Sequence, residues 1–324
     1  MEKAFNASAP FKIKLNVSRY TSLFILIIMF VLLSVLNDQF LQVLTFKNIM
    51  QQLATVGIVS IGAMVVIISG GIDLSAGYGL AFAGVTGGVF FKMFGDSFPA
   101  MLVSALIAGL IIGFANGIII AKLKIQPFIV TLAMMSICQG LALFVSEGKT
   151  ILISNPLALF VGQGFVFNFI AFPFIIFIAV SIIGYFLLNK TKLGVYTYAL
   201  GGNEDAVKLA GVKIDRYKIL IYMFAGACFG LASVIMITTI ANVTPNLQGS
   251  ILLDAIASVV IGGTSISGGK GTVLGTFIGV LIIGLISTAL TYLNVDPLLR
   301  DVVKGSIILV ALLFDKLIYQ TSKK

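Results

Sequence analysis

The chain has 324 residues, 59% of them hydrophobic and only 10% charged, where soluble proteins carry about a quarter, so a water-soluble domain of this size is excluded. Lys and Arg outnumber Asp and Glu 21 to 12, giving a formal charge of +9, and His is absent, so imidazole serves here neither as general base nor as metal ligand. Cys138 and Cys228 lie in apolar runs without CxxC spacing, which supports neither a disulfide framework nor a thiolate metal site.

A bilayer-spanning helix needs about 20 apolar residues, because only bonds within the segment satisfy its backbone in hydrocarbon. The sequence therefore predicts an all-α integral membrane protein with about ten spans and room for no large soluble domain. They run near 20–36, 53–69, 76–91, 98–121, 127–145, 169–188, 219–241, 251–263, 272–290 and 299–318, between tails at 1–19 and 319–324. The first span follows Lys3, Lys12, Lys14 and Arg19 without a small-residue cleavage site, and reads as a retained helix.

Because Lys and Arg are retained on the cytoplasmic side, both termini are placed there, in what would be a bacterial cytoplasmic membrane. Of the 21 basic residues only Lys47, Lys92, Lys149, Arg300 and Lys304 then fall outside. The cations flank helices as anchors and form no single patch, which argues against nucleic acid as a partner.

Two glycine-rich stretches interrupt the pattern, one from Gly70 through Gly71, Asp73, Ser75 and Gly77 to Gly79, the other from Gly262 through Ser267 and Lys270 to Gly271. A shift of 192 residues superposes Gly70, Gly71, Ser75, Gly77 and Gly79 on Gly262, Gly263, Ser267, Gly269 and Gly271, with Gly57 on Gly249. That suggests an internal repeat with both halves in the same orientation. Paired interrupted helices point to a transport pathway, since unwound backbone is tolerated only beside a cavity or inside protein. The alternative is that the glycines let helices pack closely.

Intramembrane acids cost about 2.5 to 3.5 kcal/mol each at mid-bilayer, so Asp73 and Asp254 need a reason to be there. Asp73 either caps the helix starting at Ala76 or touches substrate; Asp254 opens the eighth span, near the interface. Neither acid is preceded by Gly-x-Gly, as an intramembrane aspartyl protease would require. Gly269-Lys270 and Gly148-Lys149-Thr150 both lack the P-loop spacing, so any ATP-driven step belongs to a partner.

The longest cytoplasmic connection, 189–218, holds Gly201, Gly202, Asn203, Glu204, Asp205 and Ala206, with a short polar helix stopped by Gly211. Such a helix suits docking of a soluble subunit; an ordinary solvated loop is the plain alternative.

These motifs, together with the run from Leu253-Asp254-Ala255 to Gly262-Gly263-Thr264-Ser265 and with Lys304-Gly305, resemble the permease subunits of ribose/xylose/galactose-type ABC sugar importers, in the branched-chain amino acid/ribose permease superfamily. The match runs in order from about 46 to 316. The resemblance implies a homodimer, two cytoplasmic ATPase subunits, a soluble extracytoplasmic sugar-binding protein and no cofactor. Residues 205–211 are similar to the family's Glu-Ala-Ala-x-x-x-Gly docking signature, with Asp205 for Glu and Val207 for the second Ala, and this favours docking. Where relatives carry Gly and an Arg-Gly pair after the Gln126-Pro127 segment, this chain has Ala133 and Gln139-Gly140, which bears on cargo.

The sugar pathway is expected to use hydroxyls, amides and exposed backbone, with Gly70, Gly71, Asp73, Ser75, Asn116, Asn242 and Ser267 as candidates. The competing class is an ion-coupled secondary transporter of a small polar solute, with Asp73 and broken-helix carbonyls holding Na⁺ or a proton.

Overall fold

A computed structural model describes residues 17–245, 251–296, 299–306 and 309; the N-terminal cations up to Lys14, Gly249, Lys316 and the 319–324 tail lie outside the described residues. The chain is mostly helical. In order it forms α1 (Val17–Leu36), α2 (Val43–Ile68), α3 (Ala76–Met93), α4 (Phe98–Leu123) and α5 (Pro127–Ser146). After β1 (Ile151–Leu152) come α6 (Pro156–Gln163), β2 (Phe165–Val166), β3 (Ile170–Ala171), α7 (Phe172–Lys190), α8 (Lys192–Leu209) and α9 (Ile214–Thr239). After β4 (Asn242–Val243) come α10 (Ile251–Ile261) and α11 (Val273–Tyr292), and residues 299–306 are helical again.

Among the described residues six helices, α2, α4, α5, α7, α9 and α11, are long and apolar enough to cross a bilayer, fewer than the ten spans expected from hydropathy. At about 1.5 Å per residue, the 11-residue α10 reaches only about half of a 30 Å hydrocarbon core. Start and stop residues explain the boundaries. Pro99, Pro127, Pro156 and Pro173 stand in first turns, where their missing N–H costs nothing, and the side chains of Ser97, Asn155, Thr191 and Thr272 cap α4, α6, α8 and α11.

The central pillar is α2, 89% buried over its apolar window, whereas α5 is 22% buried and leaves most of its surface uncovered. Around α2 pack α7, α9, α10 and α11. The most extensive helix–helix contact among the described residues joins α4 to α9. Gly109, Gly113 and Gly117 recur every four residues on α4 and meet α9 in turn, Gly109 at Gly226 and Gly230, Gly113 at Tyr222 and Met223, and Gly117 at Ile219. A Cβ on Gly109 would stand 2.2 Å from the Gly226 carbonyl oxygen, and one on Gly113 2.2 Å from that of Tyr222. The two backbones touch without side chains between them, the arrangement small residues permit in membranes.

One end of the bundle is covered by α6 and two short antiparallel pairs, β1 with β4 (Leu152 opposite Asn242) and β2 with β3 (Phe165 opposite Ala171). The opposite end carries α8 and the α4–α5 and α8–α9 turns.

Candidate functional site

At that second end three chain segments meet at glycine. α2 stops at Ile68 because Gly70 takes φ +85°, and α10 stops at Ile261 with Gly263 at φ +87°; only glycine adopts such angles cheaply. The shared conformation thus pairs Gly70 with Gly263, one residue off the 192-residue register, and the interruptions differ in length, 69–75 against 262–272.

The two interruptions are joined directly, since the Gly269 N–H donates to the Ile68 carbonyl at 2.8 Å. Gly201 of α8 presses on this joint. A Cβ on Gly201 would lie 1.8 Å from the Ile68 oxygen and 2.5 Å from the Gly269 nitrogen, and one on Gly268 would lie 3.0 Å from the Gly70 Cα. Tyr198, one turn earlier on α8, donates its hydroxyl to the Gly271 carbonyl at 2.8 Å, and burial pushes its phenol pKa up.

Behind the first interruption lies a buried polar cluster. Asp73 Oδ1 accepts from the Ser75 N–H at 2.9 Å and from the Ser75 hydroxyl, so the acid caps the entry to α3. Asn116 of α4 donates to Ser75 Oγ at 2.8 Å, and Thr131 of α5 donates to the Ile72 carbonyl at 3.1 Å. The interruption is thereby tied to both neighbouring helices. Asp73 Oδ2, Asn116 Oδ1 and the Tyr222 hydroxyl here, and the Thr264 and Thr276 hydroxyls at the second interruption, are buried side-chain atoms without a partner.

The segment at 189–218 is more helical than the single short polar helix expected there. α8 begins at Lys192 and bends at Asn203, whose φ of −162° and ψ of 99° leave the helical region. Past the bend, Asn203 Oδ1 accepts from the Ala206 N–H at 3.0 Å, and Gly211 at φ +76° ends the short helix, its N–H bonded to the Lys208 carbonyl. Asp205 and Ala206 are exposed, Leu209 is 89% exposed, and Glu204 reaches back to pair with Lys218 at 2.7 Å. A groove of about 870 Å³ separates this helix and the α8–α9 turn from the α4–α5 turn.

Asp254 and Lys304 form an ion pair at 2.8 Å, their side chains 8% and 11% exposed. Asp254 was expected near the interface and Lys304 among the outer cations; the structure turns the two side chains toward each other inside the protein, where each charge makes the other's burial tolerable.

Of the pathway candidates, then, Asp73, Ser75 and Asn116 come together, and Gly70 and Gly71 adjoin them. Ser267 is exposed in the second interruption, and half-buried Asn242 lies at the far end in β4. Ala133, Ser136 and Gly140 are exposed and Gln139 is half-buried along α5. Among the described residues no cluster of three His, Cys, Asp or Glu is placed to hold a metal ion.

Comparison with known proteins follows the same lines. Residues 45–312 match the family described as branched-chain amino acid transport system / permease component. The ribose import permease protein RbsC of Bacillus subtilis is 40% identical, covering 92% of this chain and 91% of its own length. The galactose/methyl galactoside import permease protein MglC of Haemophilus influenzae is 33% identical over 93% and 94%, and the fructose import permease protein FrcC of Rhizobium meliloti 34% over 87% and 80%. No solved structure matches.

Proposed function

The chain belongs to the branched-chain amino acid transport system / permease component family, and from that premise we propose that it is the membrane permease subunit of a binding-protein-dependent ABC importer for a monosaccharide. The observation that carries this reading is the near full-length similarity to permeases named for ribose, galactose and fructose import. Hydrolysis of ATP belongs to separate subunits, and the permease is not an enzyme.

In this reading the end bearing α8 faces the cytoplasm, as do both termini. The clustering there of Lys122, Lys124, Lys208, Lys213, Arg216 and Lys218 supports it. About ten spans cross a bacterial cytoplasmic membrane, counting α1, α3, the short α10 and the helix after 299, and the two interruptions are the remains of an internal repeat.

The helix from Asn203 to Gly211 is the docking element for the ATPase, with Asp205, Ala206 and the exposed Leu209 presented to it. Movement of this helix passes through Gly201 to the Ile68–Gly269 joint, and so to both interrupted helices at once. Asp73, Ser75 and Asn116 hold the first interruption in shape beside the pathway. The uncovered face of α5, with Ser136, Gln139 and Gly140 among apolar residues, is too polar to face lipid alone; a second copy of the chain covers it, and the sugar passes between the copies. Ala133 and Gln139 on this face bear on which sugar passes. Cargo selection rests mainly with the extracytoplasmic binding protein, because a tight site in the permease would slow release.

The test is reconstitution in liposomes with the ATPase subunit and the binding protein. Uptake of labelled monosaccharide that requires all three components and ATP is the expected result. Accumulation by the permease alone on a Na⁺ or proton gradient would establish the ion-coupled carrier in its place.

A further inference from the structure

The groove between the docking helix and the α4–α5 turn has a composition of its own. Six cations, Lys122, Lys124, Lys208, Lys213, Arg216 and Lys218, line it against three acids, Glu204, Asp205 and Asp215. Two of the acids are already engaged, Asp215 with Lys122 at 3.6 Å and Glu204 with Lys218 at 2.7 Å. Lys124, Lys208, Lys213 and Arg216 therefore face a single remaining carboxylate, Asp205, and all four are exposed.

The walls are set by backbone geometry. Lys124 ends α4 in the left-handed region at φ 55°, which turns the chain sharply into Gln126 and Pro127 and leaves the α4–α5 turn standing opposite the docking helix. The opposite wall is fixed by the Glu204–Lys218 pair, which ties the docking helix to α9. Between them lie the apolar side chains of Ile125, Val212 and Ile219. An excess of positive charge around an apolar floor is complementary to an acidic, partly apolar polypeptide segment.

We propose that this groove is a second arm of the ATPase-docking surface and receives an acidic segment of the ATPase subunit, with Lys124, Lys213 and Arg216 as the charges it pairs with. The assignment rests on the docking reading above and adds to it a partner chemistry and the α4–α5 turn, which no docking signature marks. Continuity with the docking helix, which forms one wall, is what favours a protein over a lipid headgroup. Exposed charges of this kind govern encounter and are screened by salt, with a Debye length of about 8 Å at physiological ionic strength.

The experiment measures binding of the ATPase subunit to the purified full-length permease in nanodiscs as NaCl is raised. Three variants are compared: a Glu triple (Lys124→Glu, Lys213→Glu and Arg216→Glu), a Gln triple at the same positions, and Leu209→Asp on the docking helix. The Glu triple is expected to bind about tenfold or more weakly at low salt, and the Gln triple less weakly with a shallower salt slope than the unaltered chain. Wild-type affinity and salt slope in a Glu triple that elutes normally would overturn the proposal. If Leu209→Asp nevertheless releases the ATPase, only the groove assignment falls; if it too binds normally, the docking reading falls with it. Loss of copurifying anionic phospholipid from the Glu triple, with ATPase affinity unchanged, would make the groove a headgroup site and also overturn the proposal.

Discussion

Gly201→Ala is the most direct probe of the joint between the two helix interruptions. Ordinary van der Waals contact begins at 3.4 Å and the added methyl would meet the Ile68 oxygen at 1.8 Å, so the two must part by about 1.6 Å. Neither is the end of a flexible side chain. The same displacement opens the 2.8 Å bond from Gly269 to Ile68. Overpacking of this kind costs about 1–3 kcal/mol and the lost bond about 1 kcal/mol, so a total of about 2–4 kcal/mol is expected. Gly202, the next residue, is the matched control: a Cβ there meets nothing within 4 Å, so Gly202→Ala leaves stability unchanged or slightly raised. The assay is thermal unfolding of both variants in the same detergent, followed by ATP-driven uptake per ATP hydrolysed in proteoliposomes. Gly201→Ala is expected to unfold at clearly lower temperature and to transport less per ATP. Equal unfolding temperatures for the two alanine variants would refute the argument.

Removing one partner of the Asp254–Lys304 pair takes away the other's 2.8 Å counter-charge inside the protein, so Asp254→Asn or Lys304→Met is expected to destabilise by up to about 3–5 kcal/mol while the double variant recovers part of the loss; a thermal-stability double-mutant cycle measures it. Asn203→Ala removes the cap from the proposed docking helix, costs about 1 kcal/mol of local helix stability and is expected to weaken ATPase copurification, whereas Asn203→Asp is expected to preserve both. Tyr198→Phe loses one hydrogen bond, about 1 kcal/mol. Because the Tyr198 pKa is raised on folding, its contribution is complete below the phenol's ordinary value near 10 and is lost as pH climbs through the folded value; the wild-type chain should therefore lose more stability in that alkaline range than Tyr198→Phe does.

Most helix positions were legible in the hydropathy pattern, because lipid exposure demands long apolar runs whatever their tertiary neighbours. The misses have a common physical source. α2 begins at Val43, ten residues before the expected span, since Lys47, Asn48, Gln51 and Gln52 look like a polar flank although the helix continues through them. In the 189–218 connection only a short polar helix ending at Gly211 was expected, whereas α8 already begins at Lys192. In the structure Gly194 and Gly201 are helical residues that allow backbones to meet, a Cβ on Gly194 falling 2.0 Å from the Leu188 oxygen.

The capping role of Asp73 was one of two readings open from its position before Ala76. That Gly70, Gly201 and Gly268 would meet was not legible, because their separations along the chain exceed 60 residues and glycine carries no pattern of its own. Asp254 and Lys304 were both singled out in the sequence, but their pairing was not legible for the same reason. The spacing of Gly109, Gly113 and Gly117 was present in the sequence and is the one local signal that would have revealed the α4–α9 contact.

That contact limits how the subunit changes shape. With backbone against backbone, any rotation that brought a side chain into the seam would clash, so α4 and α9 are expected to move together as one keel. Opening and closing must then be carried by what hangs on the keel, the loosely covered α5 on one flank and the jointed pair of interrupted helices on the other.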